Sequence, residues 1–61
     1  MKYSELKKKL KESGCVKIDE GSRHEIWRSP KTGKEFPVGR HNSQEVPNGT
    51  LSSIMKDAGL R

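Results

Sequence analysis

The chain has 61 residues, of which 28% are hydrophobic and 34% are charged. A chain of this length can build one domain around a thin core, so we expect residues 1–61 to form a single domain without a deep, enclosed catalytic cavity. The 13 Lys and Arg outnumber the 8 Asp and Glu and give a net charge of +5, which favours an anionic partner such as nucleic acid.

The first predicted element is a helix that begins near Ser4 and ends at Gly14. Ser4 is a suitable N-cap, Leu6 and Leu10 lie one turn apart on an apolar face that also accommodates Tyr3, and Gly14 is a typical C-terminal stop. The opposite face is rich in lysine, and we interpret it as a solvated surface rather than a dedicated RNA contact. These lysines are Lys7, Lys8, Lys9 and Lys11.

Three short strands are predicted next, over residues 15–19, 23–28 and 34–38. Turn-forming residues separate them, and the second strand contains β-favouring Ile and Trp. The two-residue period of a strand places His24, Ile26 and Arg28 on one face, and Arg23, Glu25 and Trp27 on the other. Pro37 cannot donate a hydrogen bond to a neighbouring strand, so we expect the third strand either to lie at an edge of the sheet or to be interrupted at Pro37.

The last predicted element is a helix over residues 50–58. Leu51, Ile54, Met55 and Ala58 recur at helical spacing, and Gly59 fits the left-handed position that ends many helices. The predicted fold class is therefore α+β, with the order α-β-β-β-α. Packing both helices on one face of a three-stranded antiparallel sheet is the simplest way to bury the apolar stripes, and it leaves the other face open to solvent or to a partner.

Few side chains are candidates for catalysis. Histidine is the only type whose ordinary pKa lies near neutrality, and the chain has two, His24 and His41. The spacing of His, Cys, Asp and Glu does not resemble a metal site, and no glycine-rich phosphate-binding loop is evident. Cys15 lacks neighbours that would activate a thiol, so we interpret it as structural. The sequence predicts no metal and no other cofactor.

RNA cleavage is a reaction that so small a site can support. The substrate supplies its own nucleophile, the 2′-hydroxyl, so the protein needs a group that moves protons and cations that stabilise charge on phosphate oxygens. His24, between Arg23 and Arg28, suits that requirement. Taken alone this pattern is weak, because a histidine in a strand is more often an ordinary surface residue.

Two longer patterns carry a family resemblance. Gly21-Ser22-Arg23-His24 leads into the second strand, and Arg40-His41 is followed by Pro47 and then by Gly49-Thr50-Leu51. In this order and spacing, the chain resembles the HicA toxins of bacterial HicAB toxin–antitoxin systems from Ser4 to Leu60. Arg23 stands where many members have a second histidine, and Gly39 stands where many have a proline.

The resemblance implies a fold like that of a double-stranded-RNA-binding domain. It also implies an mRNA interferase, an endoribonuclease that cleaves mRNA without a metal, with His24 as the catalytic acid or base that assists the adjacent 2′-hydroxyl. The implied partner is a HicB antitoxin that covers the histidine and carries a DNA-binding domain. The toxin would then contact DNA only indirectly, through the antitoxin.

Several further residues are candidate RNA contacts. Arg28 and Lys17 are suited to phosphate binding on neighbouring strands. Ser22 either orients the substrate or His24, or bonds locally within its turn. Trp27 is interpreted as a core residue rather than a platform for stacking bases. The full set of candidate RNA-binding residues is Lys17, Ser22, Arg23, Arg28, Arg40 and His41.

Two alternatives remain open. The first is a non-catalytic RNA-binding module of the same fold, although such modules carry a lysine cluster at the start of the last helix, and residues 47–53 contain no basic side chain. The second is a subunit whose surface serves mainly to bind its antitoxin. This alternative predicts antitoxin binding that survives the loss of His24, and no ribonuclease activity.

The sequence also indicates where the protein acts. No apolar run approaches the roughly 18–20 residues of a membrane span, and the N-terminal segment lacks the apolar core of a signal peptide. Cys15 is the only cysteine, which excludes an intramolecular disulfide framework. We therefore expect a cytoplasmic protein without a membrane partner.

Overall fold

The structure is a computed structural model, and it describes residues 1–60. Its elements follow the order helix, three strands, helix, which confirms the predicted α+β architecture. Their bounds are α1 at Tyr3–Glu12, β1 at Val16–Glu20, β2 at His24–Arg28, β3 at Glu35–Gly39 and α2 at Asn48–Ala58.

The strands form one antiparallel sheet in the order β1-β2-β3, so β2 is central. β3 lies at an edge, as predicted from Pro37. β1 begins one residue later than predicted, because the N–H of Cys15 still bonds to the carbonyl of Leu10 at 2.9 Å. The pairing of β1 with β2 is interrupted between Lys17 and Asp19, where Ile18 is the extra residue of a β-bulge.

Both helices pack on the same face of the sheet. Leu6 and Leu10 from α1 and Ile54 from α2 join one cluster with inward-facing strand residues such as Trp27, which is 2% exposed. The remaining buried members of this cluster are Cys15, Phe36, Val38, Val46 and Ala58. The other face of the sheet is left uncovered by the helices, as the strand pattern predicted.

The start of α1 differs from the prediction that Ser4 is its N-cap. Ser4 lies inside the helix, and Lys2 occupies the N-cap position. The N–H groups of Tyr3 and Ser4 bond to the carbonyls of Gln44 and Asn42 at 3.0 and 3.1 Å. The segment that follows β3 therefore supplies acceptors from a distant part of the chain, and the Glu5 carboxylate adds a local one by accepting from the N–H of Lys2 at 3.1 Å.

The last helix ends as predicted. Gly59 adopts a left-handed conformation with φ of 76°, and the N–H of Leu60 bonds to the carbonyl of Met55 at 2.9 Å, which is a characteristic helix-terminating arrangement. The Ser29 hydroxyl donates to the Ala58 carbonyl at 2.7 Å, so the turn between β2 and β3 holds this end of α2. The helix begins at Asn48, two residues earlier than predicted.

Candidate active site

His24 is the first residue of β2, and its side chain is exposed. It belongs to the face of the sheet that the helices leave open, together with Ile26 and Arg28. The turn before it is closed by a hydrogen bond from the Gly21 N–H to the His24 carbonyl at 2.8 Å. A Cβ at Gly21 would lie 3.0 Å from that carbonyl oxygen, so a glycine permits this close approach and positions the histidine at one end of the open face.

A second basic side chain is attached to the same turn. Gly39 is the cross-strand partner of His24, and the next residue, Arg40, donates from Nη1 to the carbonyl of Ser22 at 2.7 Å. A guanidinium group has five N–H donors, so Arg40 keeps further donors for phosphate oxygens. Four predicted site residues, Ser22, Arg23, His24 and Arg40, thus share one end of the sheet.

The other predicted RNA contacts lie elsewhere. Arg28 shares the open face with His24 but is four residues further along β2, about 13 Å at the usual rise of a strand. Lys17 pairs with Trp27, and because cross-strand partners direct their side chains to one face, Lys17 belongs to the side that carries the helices. His41 is exposed in the segment after Arg40. The structure therefore does not bring all six candidate contacts onto one surface.

A shallow apolar groove occupies the middle of the open face. It has a volume of about 430 Å³, and Ile18, Ile26 and Pro37 lie in it beside the carboxylates of Asp19 and Glu35. The bulge in β1 makes Asp19 the partner of Ile26. Ile18 remains 45% exposed, so the open face combines an apolar centre with charged groups at its margins.

The opposite side of β2 carries a buried polar cluster. The carboxylate of Glu25 lies 3.2 Å from the ammonium group of Lys7 and accepts a hydrogen bond from the indole N–H of Trp27 at 3.0 Å. Lys7 also donates to the side-chain oxygen of Asn42 at 2.6 Å. This cluster joins α1, the central strand and the segment after β3. Its carboxylate belongs to Glu25, the residue that follows His24 in β2.

The Glu25 cluster corrects the interpretation of Lys7 as part of a solvated face, because Lys7 is only 8% exposed. Burial disfavours the charged form of Glu25, but hydrogen bonds from Trp27 and Lys7 and the charge of Lys7 outweigh that effect and hold the pKa of the Glu25 carboxyl below its ordinary value. A signal for this cluster was present in the sequence. The two-residue period had already placed Glu25 on the same face as the core residue Trp27, where a carboxylate requires a cationic partner.

Within residues 1–60, no three His, Cys, Asp or Glu side chains come together as a metal-binding group. Cys15 is buried, in keeping with its interpretation as structural. Over the same residues, neither helix has the length and apolar character of a membrane span. The chemistry available at the end of the open face is proton transfer by an imidazole and charge stabilisation by guanidinium groups.

Comparison with known proteins gives one finding that covers nearly the whole chain. Residues 3–60 match the family described as HicA toxin of bacterial toxin-antitoxin. No curated protein and no solved structure gave a significant match. The family match includes both helices, all three strands and the turn that carries His24, and the chain therefore belongs to the HicA toxin family.

Proposed function

We propose that this protein is a single-domain toxin of a type II toxin–antitoxin system that acts in the cytoplasm as an mRNA endoribonuclease. The observation that carries the proposal is the placement of His24, exposed at the end of the open sheet face beside an anchored Arg40. Membership in the HicA family supports the toxin role. The cleavage step and its residues are inferences from the site.

The proposed reaction uses the 2′-hydroxyl of the RNA as its nucleophile. This oxygen attacks the adjacent phosphorus while its proton passes to a base, and the bond from phosphorus to the 5′-oxygen breaks as that oxygen gains a proton. The products are a 2′,3′-cyclic phosphate and a 5′-hydroxyl. His24 performs one of these two proton transfers, a role that contributes on the order of 10²–10⁴-fold to a rate.

Basic side chains around His24 would bind the substrate backbone. Arg40 and Arg23 flank the histidine, while Arg28 lies further along the same strand. Negative charge on the nonbridging phosphate oxygens increases as the transition state forms, so fixed cations near the phosphate favour that state over the bound substrate. We further propose that a HicB-like antitoxin silences the toxin by covering His24.

The test compares RNA cleavage by the wild type with cleavage by His24→Ala, each in excess EDTA. We expect the variant to lose about 10²–10⁴-fold in rate while circular dichroism shows a retained fold. An RNA with 2′-deoxyribose at the cleaved position is a matched control, and it should resist cleavage because it lacks the nucleophile. Equal cleavage by the two proteins would contradict the role of His24.

A binding role without catalysis gives a different result. In that case neither protein cleaves RNA in EDTA, and His24→Ala still binds the antitoxin. A parallel reaction with divalent metal distinguishes a protein that binds RNA without cleaving it from one that needs a metal for cleavage. Activity that returns only with metal would contradict the proposed mechanism but would leave the assignment as a toxin standing.

A further inference from the structure

The phenol end of Tyr3 lies against the last residue of β3. A Cβ at Gly39 would lie 2.9 Å from Cζ of Tyr3, and 3.1 and 3.2 Å from its two Cε atoms. These three atoms form the end of the ring that carries the hydroxyl. The ring therefore occupies the space that a side chain at position 39 would need.

This position is next to His24. Gly39 and His24 are cross-strand partners, and such partners have Cα atoms about 4.5–5.5 Å apart. Adding the 2.9 Å contact and one Cα–Cβ bond to that separation places Cζ of Tyr3 within about 10 Å of the Cα of His24. The Tyr3 hydroxyl and the His24 imidazole therefore belong to the same end of the sheet.

The surroundings of Tyr3 hold its ring and leave its hydroxyl available. Its N–H bonds to the Gln44 carbonyl at 3.0 Å, and its ring packs against the hydrophobic core. Within residues 1–60 the Tyr3 hydroxyl makes no hydrogen bond to another protein group. A rigidly placed donor without a protein partner is suited to bind a ligand, because little conformational freedom is lost when the ligand arrives.

We propose that the Tyr3 hydroxyl contacts the RNA and donates a hydrogen bond to a nonbridging oxygen of the cleaved phosphate. This inference rests on the proposed function and adds a catalytic residue to it. Tyr3 keeps its proton and forms no covalent bond, so proton transfer remains with His24 and its counterpart. The hydrogen bond strengthens as negative charge increases on the phosphate oxygens, and it therefore acts mainly on the chemical step.

The first test is Tyr3→Phe, which removes only the oxygen and keeps the ring against Gly39. Loss of one oxyanion donor lowers kcat by about 10²–10³ in a well-studied protease, and we expect a loss of about 10–100-fold here because this site is open to water. KM should change little. Ser4→Ala is the matched control, since it removes an exposed hydroxyl from the next residue of α1 and should leave kcat unchanged.

The second test separates a contact with phosphate from a structural role. An RNA with sulfur in place of one nonbridging oxygen at the cleaved linkage accepts hydrogen bonds poorly at that atom. One of the two diastereomers should slow the wild type, and Tyr3→Phe should be insensitive to that substitution because it has no donor to lose. Thermal unfolding of each variant shows whether the fold is retained.

The outcomes distinguish this proposal from the function on which it rests. If His24→Ala is inactive while Tyr3→Phe cleaves at the wild-type rate, the role of Tyr3 is wrong and the proposed function stands. A slower Tyr3→Phe that retains the full sulfur effect would also overturn the role of Tyr3, since the defect would then be structural. If the wild type does not cleave RNA, the proposed function and the role of Tyr3 both fall.

Discussion

Two glycines illustrate how much a single missing side chain matters. Gly39 lies under the phenol ring of Tyr3, whereas a Cβ at Gly49 in the first turn of α2 would meet no atom within 4 Å. Neither residue has a positive φ, so alanine is compatible with the backbone at both positions. A side chain at position 39 would therefore meet the Tyr3 ring, whereas one at position 49 would have free space.

This difference leads to a stability prediction. Gly39→Ala should lower the free energy of unfolding by about 1–3 kcal/mol, the usual effect of overpacking, because the Tyr3 ring has to move. Gly49→Ala should raise it by about 0.4–1 kcal/mol, because alanine restricts the unfolded chain. Urea denaturation of both variants measures the two effects. Equal changes in the two proteins would contradict the packing of Tyr3 on Gly39.

At the same scale, the buried carboxylate predicts a dependence of stability on pH. The pKa of Glu25 is lowered in the folded protein, so its contribution is complete above the ordinary carboxyl value of about 4.3 and is lost as the pH falls through the lower folded value. Glu25→Gln should therefore be less stable than the wild type at pH 7, and the gap should narrow as the pH falls from 4.5 to 3.

Thermal unfolding across this pH range checks the prediction, with Glu12→Gln as the control because Glu12 is exposed near the end of α1. The control should differ little from the wild type at any pH. A gap for Glu25→Gln that stays constant down to pH 3 would show that the stabilisation by Glu25 does not depend on the charge of its carboxyl, and would contradict the prediction.

At the scale of elements, the strands and helices were predictable because each has a clear local pattern. Period two identified the core face of β2 from Trp27, and helical spacing identified α2 from Leu51 to Ala58. Pro37 correctly indicated an edge strand. These signals depend on neighbouring residues alone, so a single sequence contains them.

The features that local patterns missed depend on contacts between distant segments. The carbonyls of Asn42 and Gln44 accept hydrogen bonds from the first N–H groups of α1, and the prediction that Ser4 is its N-cap was wrong. Lys7 was assigned to solvent because its partner, Glu25, lies in another element. The place of Tyr3 beside Gly39 has the same origin, since no spacing in the sequence relates residues 36 positions apart.

Only part of the candidate site was predictable, because the rest also depends on contacts between distant segments. His24 and Arg40 were singled out from short motifs, and the structure places both at one end of the sheet. The sequence did not show that Lys17 and Arg28 lie on opposite faces of the sheet, because the register between β1 and β2 determines this. Their roles in binding RNA stay predictions.

At the scale of the whole molecule, the charge of +5 predicts that RNA binding weakens with salt. For a single strand, log K falls with log salt concentration by about 0.7 for each phosphate that the protein neutralises. Arg28→Ala and Arg40→Ala should each reduce that slope by about 0.7, whereas Lys31→Ala, in the turn between β2 and β3, should leave it unchanged.

Fluorescence anisotropy with the His24→Ala protein, which we expect to be inactive, measures these slopes at several salt concentrations without cleavage of the probe. Lys31 is a matched control because it is a basic residue outside the predicted contacts. A slope near zero for the parent protein would contradict recognition through phosphates. A larger change for Lys31→Ala than for the two arginines would place the binding surface elsewhere.

The two outer strands of the sheet have a consequence for the toxin when its antitoxin is absent. A three-stranded sheet has two free edges, and free edges invite addition of strands from other molecules. Here β3 lacks one N–H donor because of Pro37, and β1 carries the bulge at Ile18 together with charged residues on either side of it. Both features hinder edge-to-edge pairing between copies, so we expect the toxin on its own to resist this route to aggregation although its apolar groove is exposed.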